Sequence, residues 1–301
     1  MMINKVMNMS EAVKQNVESG DILFIGGAQH GTPSAAVNEI VRQKINHLTV
    51  ISVLNNTSPL IGEGLVDKVV TGYSMTDEKR SYPLQRAREK FDVNVEFEEY
   101  SHFGVSLALF AGYMGIPFIP TKSHLGSDMM KYNDNIQSIR SPFSEDKIAV
   151  IKAVVPDVGI LHVQRCDVEG NAQKWGSLGV DFEGINASKK VIITTEKVVE
   201  SDVIQRDPNR TIIPGFRVNA VVEQPFGAYP GHLVGCYNDG PMNFGGKQGE
   251  EGWEHYVNNE IYNVNDWNEY IENLKAINGE DFLDKLRIKE PLLSEPIITG
   301  M

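Results

Sequence analysis

Residues capable of chemistry are concentrated between Glu98 and Asp128. Two carboxylates, Glu98 and Glu99, lead into Ser101, His102, Phe103 and Gly104, and then directly into an apolar run from Val105 to Met114 with only Ser106 as a polar interruption. A carboxylate can serve as acid, base or nucleophile, and an imidazole with an ordinary pKa of about 6.5 can take or give a proton near neutrality. The apolar run reads as a helix buried on most of its sides. A short apolar strand from Ile116 to Ile119 follows, with prolines at 117 and 120, and empties into a donor-rich loop from Thr121 to Asp128 that includes Lys122. A polar turn, a buried helix and a polar loop are how α/β proteins bring reactive groups to the end of a sheet. The same residues admit plainer roles: Ser101 as a helix N-cap, Glu98 and Glu99 as solvated strand-end charges, Lys122 as an exposed loop lysine.

Two further stretches could meet a ligand. Ile22 to Ile25 reads as a strand, followed by Gly26-Gly27-Ala28-Gln29-His30 and, after Pro33, a helix from Ser34 to Gln43. A strand, a glycine pair and a helix opened by proline present free backbone N–H groups to an anion. The pattern is neither the dinucleotide fingerprint nor a Walker loop, and a tight turn explains the glycines equally well. The stretch Gln224-Pro225-Phe226-Gly227-Ala228-Tyr229-Pro230-Gly231-His232 mixes Pro and Gly with aromatic rings, which predicts an ordered loop with Gln224, Phe226 and Gly227 lining a pocket. No metal is expected, because His30 and His102 lack carboxylate or histidine partners at ligand spacing.

The elements that must position these groups alternate. Strands are expected at Leu48–Leu54, Val66–Thr71, Val93–Phe97, Lys147–Val155, Val158–Gln164, Lys189–Thr195 and Val218–Glu223, with a charged helix near Tyr82–Lys90. That rhythm predicts an α/β fold: an open, largely parallel sheet with helices on both faces. Composition shifts after residue 249, so residues 1–249 read as the main domain and 250–301 as a C-terminal helical extension packed on it, with Asp266 capping a helix. At 41% apolar and 23% charged, the chain has the make-up of a globular protein. A formal charge of −12 argues against nucleic-acid binding. No run is long enough to span a membrane, and the opening residues predict no secretory leader. Cys166 and Cys236 stand at no ligand or redox spacing, which fits reduced, buried spectators in a cytoplasmic protein.

Taken together, Gly26-Gly27 after the first strand, Pro117-Phe118-Ile119-Pro120 before Leu125-Gly126-Ser127, Asp167 to Gly176, Asp207-Pro208, Ile213-Pro214-Gly215 and Gln224-Pro225-Phe226-Gly227-Ala228 resemble the α subunits of family I CoA-transferases, of the glutaconate CoA-transferase type. The resemblance runs nearly end to end. It implies a sheet shared with ribose-phosphate isomerases, coenzyme A as cosubstrate with no permanently bound cofactor, and a homologous β subunit in a heterotetramer or heterooctamer. It also implies CoA transfer between an acyl-CoA and a small mono- or dicarboxylic acid through a glutamyl-CoA intermediate on that β subunit, leaving no catalytic residue assigned in this chain. Ser101, His102, Phe103, Gln224, Phe226, Gly227 and Lys122 are then expected to bind substrate, and Gly26, Gly27, Gln29 and His30 to approach CoA. His102 stands where ring-opening relatives acting on steroid-derived CoA thioesters place a catalytic glutamate, a departure that speaks against hydrolysis. The alternatives are a related acyl-CoA hydrolase, lyase or decarboxylase subunit, or a non-enzymatic small-molecule sensor.

Overall fold

The computed structural model describes residues 4–28, 30–54, 57–73, 81–242 and 244–288. The first half of the chain comprises α1 (Met9–Asn16), β1 (Ile22–Ile25), α2 (Ser34–Arg42), β2 (Leu48–Ser52), α3 (Ser58–Gly62), β3 (Val66–Thr71), α4 (Tyr82–Phe91), β4 (Glu96–Glu99) and α5 (His102–Met114). A small antiparallel unit follows, made of β5 (Phe118–Thr121), α6 (Met129–Tyr132), β6 (Ile136–Arg140) and β7 (Lys147–Lys152). Its strand order is β5-β7-β6, so the proline-bearing β5 lies at an edge, where a missing N–H costs nothing. The chain returns through β8 (Val158–Val163), β9 (Arg165–Cys166), β10 (Ala172–Gln173), α7 (Asp181–Ala187), β11 (Lys190–Thr195), α8 (Ser201–Gln205), β12 (Thr211–Ile213) and β13 (Ala220–Glu223). The described residues close with α9 (Gly249–Val257), α10 (Trp267–Asn278) and α11 (Phe282–Leu286).

Among the described residues the central sheet has seven strands in the order β13-β11-β8-β1-β2-β3-β4, and every pairing in it is parallel. The expected open α/β sheet is therefore present. Side chains alternate between its faces: Leu23 and Ile25 of β1 join a core with α1 and α2, while Phe24 joins one with α5. From β1 the order runs one way to β4; from β8 it runs the other way to β13. The reversal lies between β1 and β8, and all strand carboxyl ends open on a single edge. That is the edge where open α/β sheets hold their ligands.

The C-terminal helices share the first of these cores. Trp253, Tyr256, Ile261, Trp267 and Leu274 pack with Ile40, Leu48 and Leu60. A Cβ at Gly62 would lie 2.3 Å from the Trp253 ring, so only glycine fits beneath it. Buried Glu63 takes Arg86 at 3.0 Å, Trp253 Nε1 at 2.8 Å and the Tyr262 hydroxyl at 2.7 Å, and Arg86 also reaches Glu254 at 2.8 Å. No helix among the described residues is long and apolar enough to cross a membrane.

Three local expectations change. The strand after α5 is Phe118–Thr121, not Ile116–Ile119, because Gly115 ends the helix in a left-handed cap and Phe118–Thr121 is the stretch that pairs with β7. The fourth strand is Glu96–Glu99, not Val93–Phe97, because Lys68 on β3 holds both Glu96, at 3.0 Å, and Glu98, at 2.7 Å, across the pair. Helix α5 is buried on one side only. Gly104, Val105, Ala108, Leu109 and Ala111 face the sheet, whereas Phe103 (58% exposed), Phe110, Tyr113 and Met114 (54%) stand open. One helix against one sheet can cover only one stripe, and Ile116 and Phe118 continue the apolar surface.

Candidate active site at the carboxyl edge of the sheet

After β1 the chain turns sharply. Gly27 adopts φ +93°, in the region that favours glycine, and its N–H donates to Asp181 Oδ1 at 2.8 Å. The other oxygen of Asp181 holds Lys174 Nζ at 2.5 Å, and both side chains are wholly buried. Lys174 also lies 3.4 Å from the carbonyl of His30. The His30 ring is buried and stacks on His232 with centroids 6.0 Å apart. Gln29 lies outside the described residues. Beside this turn, wholly buried His162 on β8 pairs Nδ1 with Thr194 at 2.9 Å and Nε2 with Glu196 at 2.9 Å.

The loop after β13 closes over this group. Gly227 passes directly above His162, where a Cβ would lie 2.8 Å from the imidazole, and its carbonyl accepts from Ala35 of α2 at 3.0 Å. Gln224 is buried and donates to Asn268 at 2.8 Å. Phe226 turns inward, its ring 4.6 Å from that of Tyr237 and under the Arg287 guanidinium, so packing accounts for its position.

A second group stands at the end of β4, three strand steps or roughly 14 Å along the edge from β1. Ser101 caps α5 by accepting from Gly104 N–H at 3.0 Å. His102 and Phe103 open the helix exposed, and His102 lies so close to Gly72 that a Cβ there would sit 2.7 Å away. Burial disfavours ionisation of Glu98, but Lys68, the Tyr100 hydroxyl at 2.5 Å and Asn135 at 2.9 Å outweigh it and hold its carboxyl below the usual range. Glu99 points into solvent. Lys122 belongs to neither group: it is 81% exposed on the small antiparallel unit, 4.0 Å from Asp146.

The expected residues thus separate. Gly26, Gly27, His30, Gln224 and Gly227 gather near the β1/β8 reversal, Ser101, His102 and Phe103 gather at β4, and Lys122 stands apart. Reading the sequence missed His162, Lys174, Asp181 and Glu196. His162 alone carried a signal, as a titratable residue inside an otherwise apolar strand. Cys166 is buried, which pushes its thiol well up, and burial with Glu196 nearby pushes Cys236 to about 12, so neither is a thiolate at neutral pH.

A Coenzyme A transferase family model matches residues 6–224. The chain belongs to the coenzyme A transferase family. Among its relatives, the α-type chain of the 3-oxoadipate CoA-transferase of Pseudomonas knackmussii is 33% identical over 77% of this chain and 83% of its own length. The α-type chain of the glutaconate CoA-transferase of Acidaminococcus fermentans is 28% identical over 91% of this chain and 93% of its own. The crystal structure of glutaconate CoA-transferase from that organism superposes with a TM-score of 0.83 at 27% identity, covering 94% of this chain and 96% of that one. This CoA-transferase chain is therefore of the α type, and coenzyme A is a substrate of its family.

One pH response follows from the buried turn of this CoA-transferase chain. Burial, then the charges of Lys174 and His232, lower the His30 pKa from 6.5 to about 3. The unfolded chain therefore gains a proton below pH 6.5 that the folded chain refuses until about pH 3, so stability falls as pH falls through this window. The full loss is roughly 3–5 kcal/mol. Urea unfolding of His30→Phe at pH 7 and pH 4 is expected to show a smaller pH difference than the parent; an identical difference would exclude His30 as the source.

Proposed function

We propose that this chain is the α subunit of a heteromeric enzyme that moves CoA between an acyl-CoA and a small carboxylic acid, with the nucleophilic glutamate on a homologous β subunit. The observation that carries the reading is the state of the carboxylates at the carboxyl edge. Glu98 is held by Lys68, Tyr100 and Asn135, Glu196 by His162, and Asp181 by Lys174 and the Gly27 N–H. A carboxylate held in this way is a poor nucleophile, and Glu99 stands in solvent. Meanwhile His102 and Phe103 face outward beside the uncovered apolar stripe of α5, with Ser101 half-buried next to them, as a wall awaiting its opposite side.

In the proposed reaction the partner's glutamate attacks the thioester carbonyl and CoA leaves as thiolate. The mixed anhydride so formed is attacked by that thiolate at the glutamyl carbonyl, which releases the first acid and leaves a glutamyl-CoA thioester. The incoming acid reverses both steps. His102 and the first N–H groups of α5 orient the acid and favour its negative charge. The names of the relatives favour dicarboxylates, since 3-oxoadipate and glutaconate both carry two carboxyl groups. Gly26, Gly27 and His30 would line the approach of CoA. The assembly is a heterotetramer or heterooctamer in the cytoplasm, where the two unpaired cysteines remain reduced.

The test is reconstitution. The chain purified alone is expected to show no CoA transfer from acetyl-CoA to glutaconate or 3-oxoadipate, and co-expression with its β subunit to restore turnover with at least one of them. Borohydride added after acetyl-CoA should place the reduced adduct on a partner glutamate. Full turnover by the isolated chain, or an adduct on Glu98 or Glu99, would overturn the reading.

A further inference from the structure

The two polar loops that flank α5 and β5 meet at a serine and a histidine. Ser101 Oγ lies 3.2 Å from His124 Nε2, and the Ser101 amide N–H is directed at the same nitrogen at 3.4 Å. With the ring proton on Nδ1, Nε2 can accept from the serine hydroxyl. Ser101 Oγ in turn accepts from Gly104 N–H at 3.0 Å, which limits how the hydroxyl can turn.

The surroundings are built for this contact. His124 is 8% exposed and held at φ +72°, a left-handed conformation costly for a residue with a side chain, and its Nδ1 has no hydrogen-bond partner. At Gly104 a Cβ would lie 2.7 Å from His124 Cε1 and 2.8 Å from Nε2, so glycine is what admits the ring. Ser101 sits between β4 and the 13-residue α5, with its Oγ turned to the Gly104 N–H. Its own backbone is relaxed, at φ −72° and ψ 161°. Beside it, the N–H groups of His102 and Phe103, the first two of the helix, have no intrahelical acceptor. Burial keeps the His124 pKa below that of a free imidazole, so the ring is in its basic form at pH 7.

We propose that Ser101 is a hydroxyl nucleophile and His124 its general base, forming an acyl-accepting centre that this chain carries without its partner and that takes acyl thioesters. Ser101 Oγ attacks the thioester carbonyl while its proton passes to His124 Nε2. The His102 and Phe103 N–H groups receive the oxyanion. The C–S bond then breaks, the departing thiolate takes the proton from His124, and an acyl ester remains on Ser101. Water, deprotonated by the same imidazole, attacks the ester and returns the free acid and the hydroxyl. The net reaction is thioester plus water to acid plus thiol. This activity draws on the same α5 N–H groups but needs no partner glutamate, so its failure would leave the two-subunit reading untouched.

The test uses the full chain alone and diisopropyl fluorophosphate, which a serine oxygen attacks at phosphorus with loss of fluoride. Peptide mapping is expected to find the adduct on Ser101, and His124→Ala to slow its formation about 100-fold. Ser101→Asn keeps an N-cap oxygen for α5 and should carry no adduct, with the circular dichroism of the parent. Slow acetyl-CoA hydrolysis by the parent chain should be lost in both variants. Absence of an adduct on Ser101 in the folded chain, or labelling of His124→Ala at the parental rate, would overturn the proposal.

Discussion

Gly27→Val is expected to abolish CoA transfer and to destabilise the whole fold. A Cβ on Gly27 would lie 2.4 Å from Thr32 N, 2.5 Å from Thr32 Cα and 2.6 Å from the Gly31 carbonyl carbon, all of them backbone atoms that cannot swing aside. The φ of +93° adds strain for any residue with a side chain. Relaxing the turn also pulls the Gly27 N–H from Asp181, whose other oxygen anchors Lys174. Sequence alone suggests a milder outcome, inactive but folded, because β1 is untouched. The backbone of Thr32 makes the difference. Thermal unfolding should show the variant weakened by about 3 kcal/mol or more; a parental melting temperature with lost turnover would instead make the turn purely a ligand contact.

Lys174→Met should be as damaging for a different reason. It leaves Asp181 charged and wholly buried without its cation, a change that costs about 3–5 kcal/mol. Adding Asp181→Asn removes the stranded charge and keeps an oxygen for the Gly27 N–H, so the double variant should recover most of that loss. Urea unfolding of the two singles and the double gives the comparison. A loss below about 1 kcal/mol in Lys174→Met would mean that water reaches the pair.

What was legible in the sequence follows from how each element is buried. β1 and β3 have the bounds expected of them, and β2, β8 and β11 differ only at their ends, because buried parallel strands are mostly apolar runs between turn residues, interrupted in β3 by Asp67 and Lys68. Helix α7 has no such signal. Its Gly184 breaks the helical pattern, yet a Cβ there would lie 2.2 Å from the Phe24 ring, so the residue answers to packing that only the folded chain reveals. β6 is equally silent, since four of its five residues are exposed and show no apolar alternation. The candidate site was legible where polar residues cluster along the chain, as at Ser101 and His102. It was opaque where partners come from different strands: His162 meets Thr194 and Glu196 across a sheet pairing, and Ser101 meets His124 across a whole helix and strand.

The Trp253 ring above Gly62 has a consequence for how the protein is made. The last helices complete a core that the first strands begin, so while the ribosome is still adding residues beyond 249, Leu60 and its neighbours lack the cover that Trp253, Tyr256 and Trp267 later provide. The nascent amino-terminal half must therefore wait, partly bare, until those helices have been made. That interval is when it is most open to chaperones and to aggregation. A message truncated near that point would release a product that cannot close its core, marked for degradation before it could meet any partner.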